Sequence, residues 1–240
     1  SICWTSLITG YVEHGRGVEA LQCFEHMQSE GVFPNPVTYV SILRACGVIG
    51  DLDMGIRIHN DIVKQGFLGK EDEEIMIGNA LIDMYAKCGM LGKAAQVLQE
   101  LQVRDEVSWN TLIIGYIHQG DDREGLNWFQ CMQSEGFCLN TIIIIYILKA
   151  CGNLGFVEKG QEIHKEIVER GLGNDLVLGN ALINMYLKCD SIEDAIQMFE
   201  SICYRDVIAW TIIISGYAQK GHVEKAFRAV QQMECEGFHP

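Results

Sequence analysis

The stretch SWNTLIIGY, Ser108 to Tyr116, has two near-copies: CWTSLITGY from Cys3 to Tyr11, and AWTIIISGY from Ala209 to Tyr217. Their tryptophans, Trp4, Trp109 and Trp210, stand 105 and 101 residues apart. Two further phrases recur between them. YVSILRACG from Tyr39 is matched by IIYILKACG from Ile144, and IGNALIDMYAKC from Ile77 by LGNALINMYLKC from Leu178. Self-similarity at a fixed period signals a repeat architecture, so a super-period of about 100 residues holds three related units.

Cutting at these phrases gives seven units: 1–35, 36–74, 75–105, 106–140, 141–175, 176–206 and 207–240. They use the whole chain and leave nothing for a separate domain. The two 31-residue units lack the Gly-containing tail of the others, and the 39-residue unit carries a short acidic insert around Lys70 to Glu74.

Each unit reads as two helices. Trp4, Leu7, Ile8 and Tyr11 follow the i, i+3, i+4, i+7 spacing of one helix face. The same spacing returns at Tyr39, Ile42, Leu43 and Cys46, at Trp109, Leu112, Ile113 and Tyr116, and at Trp210, Ile213, Ile214 and Tyr217. Gly15, Gly50, Gly89, Gly120, Gly155 and Gly221 end this first helix, because glycine tolerates the left-handed backbone of a helix stop. The remaining unit has Asp190 there, and Ser191 with Asp194 spells an N-terminal cap for its next helix. In the second helix a small residue leads each apolar set: Ala20, Phe24, Met27; Ala94, Leu98, Leu101; Ala195, Phe199, Ile202; Ala226, Val230, Met233. A second stop follows at Gly31, Gly66, Gly136, Gly171 and Gly237. A lone hairpin cannot bury these faces, whereas stacked neighbours can, which predicts an all-α chain, an α-solenoid of seven helix-turn-helix repeats.

Composition narrows the function classes. Apolar residues make up 48% and charged residues 21%, which excludes a disordered chain. The net charge of −14 excludes a polycation that holds nucleic acid by charge alone, though not a groove that reads bases. The longest apolar run, Thr141 to Leu148, is far short of the ~20 residues of a membrane span, so no membrane partner is expected. Its β-branched residues Ile142 to Ile145 are poor helix formers, to be overridden by packing. No secretory or transit segment is visible and no Met opens the chain, which therefore reads as a piece of something longer. The ten cysteines contain no C-x-x-C pair and read as reduced, mostly buried thiols.

The phrases VSWNTLIIGY from Val107 and F-x-x-M-x-S-E-G from Phe129 to Gly136 resemble the pentatricopeptide repeat. The series of unit lengths resembles its plant-type subclass with P, L and S motifs in turn. The L-like units carry LRACG with RIHNDIVKQG, or LKACG with EIHKEIVERG, and the S-like units carry GNALIDMYAKCG and GNALINMYLKCD. The tetratricopeptide phrase W-x-x-L-G-x-x-Y is not met. The resemblance implies that the solenoid winds as a right-handed superhelix, and that it binds single-stranded RNA, one base per repeat, in mitochondria or chloroplasts. It further implies service in organellar RNA processing, above all cytidine-to-uridine editing, with editing factors or a deaminase domain supplied in cis or in trans.

A physical reading of the groove stands beside this. The residue after the fourth place points about 100° away from the core stripe. Thr5, Asn79, Asn110, Asn180 and Thr211 stand there, so small polar side chains recur at one address. An amide offers donors and an acceptor to a base edge, and a hydroxyl does either. Val40 and Ile145 of the L-like units offer neither. The last residue of each unit is also polar: Asn35, Glu74, Asp105, Asn140, Asp175 and Asp206. In the family this residue pairs with the fifth place of its own unit. Carried over, Thr5 with Asn35 implies adenine, Asn79 with Asp105 and Asn180 with Asp206 imply uracil, Asn110 with Asn140 implies a pyrimidine (cytosine first), and Thr211 implies a purine. The pairs Val40 with Glu74 and Ile145 with Asp175 imply no base. Read from the 5′ end, the implied target is A-x-U-Y-x-U-R.

The second place is apolar throughout: Ile2, Val37, Met76, Val107, Ile142, Val177 and Ile208. Two readings stand open, base-sandwiching residues as in the family or core residues of the first turn. Lys87 and Lys188 recur as phosphate contacts or as solvated surface cations, while Glu13, His118 and Gln219 hold that place elsewhere, so the basic lining is sparse. Trp4, Trp109 and Trp210 read as packing residues, His59 and His164 as satisfied buried histidines, and the in-phase cysteines Cys46 with Cys151 and Cys88 with Cys189 as packing. No Gly-rich phosphate loop, nucleophile elbow or deaminase zinc motif is present, so no catalytic residue, metal or cofactor is expected. The alternative function is a helical scaffold whose concave face holds a peptide, a reading the acidic charge favours for a basic one.

Overall fold

The computed structural model describes residues 2–69, 71–202 and 205–238. Cys203, Lys70 of the acidic insert and the outer limits drawn at residues 1 and 240 lie outside them. Fourteen α-helices and no strand occur among the described residues. They are α1 (Ile2–Glu13), α2 (Gly17–Ser29), α3 (Pro36–Ile49), α4 (Leu52–Lys64), α5 (Glu71–Lys87), α6 (Leu91–Glu100), α7 (Glu106–His118), α8 (Asp122–Ser134), α9 (Thr141–Leu154), α10 (Val157–Glu169), α11 (Leu176–Lys188), α12 (Ile192–Ser201), α13 (Val207–Gln219) and α14 (Val223–Cys235).

The chain divides into two compact units, Ser1–Cys138 and Leu139–Pro240. In the first, α1, α3, α5 and α7 lie side by side, and α2, α4 and α6 each lean on the odd-numbered helices before and after, with α8 on α7. In the second, α9, α11 and α13 form the row, α10 and α12 bridge successive members, and α14 packs on α13. Even-numbered helices do not touch one another within a unit, among the described residues. Each unit is thus a two-layered stack of helical hairpins, the local arrangement of an α-solenoid.

The apolar spacing explains the layers. Tyr39, Ile42, Leu43 and Cys46 are all buried, as are Trp109, Leu112, Ile113 and Tyr116. Ala20, Ala94 and Ala195 are fully buried where the second helix meets the first. One member of the predicted stripe departs from it: Leu7 is 48% exposed, whereas Leu112, in the same place of α7 with α5 beside it, is buried. Ile142 to Ile145 do lie in a helix, held there by the full burial of Ile143 and Ile144.

The helix stops follow the glycines. All eleven predicted stop glycines take φ values between 69° and 87°. Asp190, in the twelfth such place, takes φ 62° with a side chain attached. The predicted cap beside it does not form: Ser191 is the N-cap of α12 but its hydroxyl caps nothing. The acidic insert is absorbed into α5, whose 17 residues exceed the 13 of its counterpart α11.

The expectation of mostly buried thiols needs correction. All nine described cysteines are free, but Cys23, Cys46 and Cys151 alone among them are buried, and Cys3, Cys131, Cys138 and Cys235 are exposed. The thiols that recur in phase do pack. Cys88 Sγ lies 3.9 Å from the carbonyl of Cys46, and Cys189 Sγ lies 3.6 Å from that of Cys151. Burial pushes the Cys46 and Cys151 thiols up to about 12, which keeps them protonated.

Candidate nucleic-acid interface

The residue that closes one unit starts the next odd-numbered helix. Asn35 is the N-cap of α3, Asp105 of α7, Asn140 of α9, Asp175 of α11 and Asp206 of α13. Each side chain accepts a hydrogen bond from a backbone N–H two or three residues on, which satisfies a donor the helix leaves orphaned. Sequence reasoning assigned Asn35, Asp105, Asn140 and Asp206 to bases, gave Asp175 none, and missed the caps in all five. The signal was present in N-x-x-T at Asn35 to Thr38 and D-x-x-S at Asp105 to Ser108. Glu74 departs from the column. It lies inside α5, is buried, and its Oε1 accepts from the Gln102 backbone N–H at 2.8 Å, so it braces the chain after α6.

Three fifth-place side chains meet the closing residue of their own unit. Asn79 Nδ2 donates towards both carboxylate oxygens of Asp105, at 3.2 and 3.3 Å. Asn180 Nδ2 does the same to Asp206, at 3.3 and 3.5 Å. Thr5 reaches Asn35 through an intermediary. Its Oγ1 lies 2.8 Å from Thr38 Oγ1, which donates to Asn35 Oδ1 at 2.9 Å. The Thr5 and Thr38 hydroxyls thus link Thr5 to the cap of α3.

Burial of the fifth place varies. Asn180 retains 8% of its surface and Thr5 is also buried, Asn79 and Asn110 are half-buried, and Thr211 is exposed with its hydroxyl donating back to the Val207 carbonyl at 2.7 Å. The Oδ1 atoms of Asn110 and Asn180 are buried without a protein partner. Asp105, Asn140, Asn35, Asp175 and Asp206 are half-buried.

The second place behaves differently from a core position. Ile2, Val37, Met76, Val107, Ile142, Val177 and Ile208 are all exposed, from 37% at Met76 to 79% at Ile2. Hydrophobic burial therefore does not explain why this place is apolar, and the core reading falls. Each of these residues sits three positions before a fifth-place residue, on the first turn of an odd-numbered helix except for Met76, which the lengthened start of α5 places a turn further in.

Lys87 and Lys188 are exposed at the far end of their helices, and each stem crosses a glycine. A Cβ on Gly47 or on Gly152 would lie 3.2 Å from the stem of Lys87 or of Lys188. Lys87 Nζ pairs with Asp83 at 2.7 Å, and Lys188 Nζ donates to Asn153 Oδ1 at 2.7 Å. Lys220, not singled out from sequence, pairs with Asp190. Lys188 and Lys220 line an open cavity of about 430 Å³ between α11 and α13, together with Asn184, Thr211 and Ser215.

The remaining candidates are packing groups. Trp109 and Trp210 are buried, and Trp4 is half-buried with its ring edge-on to His26. His59 Nδ1 lies 2.8 Å from the Tyr85 hydroxyl, and His164 Nδ1 lies 2.9 Å from that of Tyr186. Burial lowers the pKa of both imidazoles. Among the described residues no group of three His, Cys, Asp or Glu side chains could share a metal ion, and no helix is long and apolar enough to cross a membrane.

A model of the PPR repeat matches residues 37–67, 79–105, 107–137, 146–172 and 180–207, and one of the PPR repeat family matches residues 1–48 and 205–240. The chain belongs to the pentatricopeptide repeat family. Among its relatives in Arabidopsis thaliana, pentatricopeptide repeat-containing protein At2g33680 is 35% identical over the whole of this chain. The proteins At3g09040, mitochondrial, and At4g18520, chloroplastic, are 32% and 35% identical over 99% of it. The chain spans 32%, 23% and 38% of the lengths of these three. The crystal structure of the pentatricopeptide repeat protein PPR10 from maize superposes with a TM-score of 0.85 at 25% identity, over 99% of this chain and 34% of that one. The same maize protein in complex with an 18-nt psaJ RNA element gives a TM-score of 0.82 at 24% identity, over 99% of this chain and 35% of that one.

Proposed function

We propose that this pentatricopeptide repeat chain binds single-stranded RNA through seven repeats with the limits 1–35, 36–74, 75–105, 106–140, 141–175, 176–206 and 207–240, of the P, L and S series. The observation that carries the reading is the pairing of two columns. An exposed apolar residue, as at Met76 or Val177, stands three positions before a polar one tethered to the end of its repeat, as at Asn79 and Asn180. An apolar surface takes the face of a base, and an amide takes its edge. Thr5, Asn35, Asn79, Asp105, Asn110, Asn140, Asn180, Asp206 and Thr211 read bases, and Ile2, Met76, Val107, Val177 and Ile208 flank them. Lys87 and Lys188 meet phosphates after exchanging Asp83 and Asn153 for them.

The biological role in this reading is recognition of an organellar transcript in a mitochondrion or chloroplast, at a site of cytidine-to-uridine editing. The chain supplies binding, and a deaminase domain in cis or in trans supplies chemistry. Membership of the family, the names of its relatives and the RNA complex of the maize protein support it.

A second reading, a scaffold for a basic peptide, draws on the −14 charge and on the internal pairing of Lys87. Titration of labelled A-x-U-Y-x-U-R RNA, against a scrambled strand and across a salt series, separates the two. Preference for the ordered strand, weakening as salt rises, supports RNA reading. Equal or absent binding of both strands overturns it.

A further inference from the structure

The place that differs most between the two Asn–Asp repeats is occupied by neither partner. It is the third residue of the following unit, on the first turn of the next odd-numbered helix. Behind Asn79 stands Ser108, fully buried, whose one hydroxyl hydrogen goes to Asn79 Oδ1, the shorter contact at 2.5 Å, rather than to Asp105 Oδ1 at 2.8 Å, a carboxylate that already accepts from Asn79 Nδ2 and from the Ser108 backbone N–H. Behind Thr5 stands Thr38, also fully buried and bonded to Thr5 and Asn35. Behind Asn180 stands Ala209, which has no hydroxyl, and Asn180 Oδ1 is buried there with no protein partner.

An amide whose Nδ2 is tied to a carboxylate and whose Oδ1 is tied to a hydroxyl cannot turn over. It shows a ligand only its remaining N–H. An amide tied at Nδ2 alone keeps its oxygen open to a donor. A buried carbonyl oxygen without a partner costs free energy that a ligand N–H recovers on binding. The two Asn–Asp repeats are therefore chemically unequal although their fifth and closing residues are the same.

We propose that the third-place hydroxyl of the following repeat is a positioning residue that fixes which hydrogen-bonding edge the preceding fifth-place side chain offers. Ser108 makes Asn79 a donor, matched to the O4 acceptor of uracil and mismatched to the N4 amino group of cytosine. Ala209 leaves Asn180 with an acceptor as well, so repeat 6 tolerates cytosine better than repeat 3 does. This inference rests on the RNA reading above and adds a residue that neither the fifth nor the closing place contains.

The test uses the full 240-residue chain. Binding is measured for RNAs carrying uracil or cytosine opposite repeat 3 or repeat 6, with Ser108→Ala, Ser108→Thr and Ala209→Ser variants. Hydrogen exchange of the Asn79 side-chain amide is followed by NMR in the free proteins. Ser108→Ala is expected to cut uracil-over-cytosine preference at repeat 3 by about three- to tenfold, the scale of one net hydrogen bond, and to speed Asn79 amide exchange. Ser108→Thr restores both, and Ala209→Ser raises the preference at repeat 6. Unchanged preference and unchanged exchange in Ser108→Ala overturn the proposal. If the unaltered chain shows no base preference, the RNA reading fails instead. Exchange alone then decides the positioning role: faster exchange rescued by Thr upholds it, and unchanged exchange overturns it.

Discussion

Asn79 and Asp105 are joined across 26 residues of chain, the amide nitrogen of one lying 3.2 and 3.3 Å from the two carboxylate oxygens of the other. The same carboxylate accepts the Ser108 backbone N–H at 2.8 Å and so starts α7. One side chain therefore holds a helix end and the fifth-place residue of its own repeat at once. The two tasks come apart under substitution. Asp105→Asn keeps a capping oxygen, and its unfolding free energy from urea titration is expected to stay within about 0.5 kcal/mol of the original. Asp105→Ala removes the cap and is expected to cost about 1 kcal/mol. Equal losses in both variants would show that the charge, and not the cap, holds α7 in place.

Val107 is 55% exposed, so its side chain contributes little to folding. Val107→Ser is expected to leave thermal unfolding nearly unchanged and to weaken RNA binding by about 1 kcal/mol, the lower end of the range for aromatic stacking on a base, since valine presents no aromatic face. Loss of stability with undiminished binding would return the second place to a structural role.

His59 and His164 make stability depend on pH. Burial disfavours the imidazolium, so each folded-state pKa lies below the ordinary value of 6.5. Glu100 opposes the shift at His59 and Lys93 adds to it, while Asp194 opposes it at His164. As pH falls through 6.5 the unfolded chain takes up protons first, so this contribution is complete above that pH and is lost on descent through the lowered values. Urea midpoints measured between pH 7.5 and about pH 5 should fall, and the double variant His59→Phe with His164→Phe should flatten the curve. Phenylalanine is the residue that Phe24, Phe129 and Phe199 place at this position in other repeats. An unchanged pH slope in the double variant would contradict this assignment.

The hairpins were legible because their signals are local. A 3.6-residue apolar period and a glycine at each stop are properties of short segments, and every stop glycine took the left-handed backbone. Neighbour-dependent properties were not legible. Leu7 carries the right spacing yet is exposed, whereas its counterpart Leu112 lies buried in α7, which packs on α5. Cysteine burial followed the face of each helix and not the residue type, so Cys131 and Cys235 lie outside while Cys46 lies inside. In the groove, the polar and apolar columns could be read from the repeat phase. Not all of their partners could, since Ser108 meets Asn79 across 29 residues. Glu74 was misread because the acidic insert lengthened α5 and carried the carboxylate from the groove into the stack.

Recoding a single repeat tests base-by-base reading most directly. Asn79→Thr combined with Asp105→Asn copies the Thr5 and Asn35 pair into repeat 3, and binding is measured against four RNAs that differ only at the base opposite that repeat. The expected result is a change of preference there from uracil to adenine, with every other position read as before. Retention of the original preference, or an equal weakening for all four bases, would contradict it.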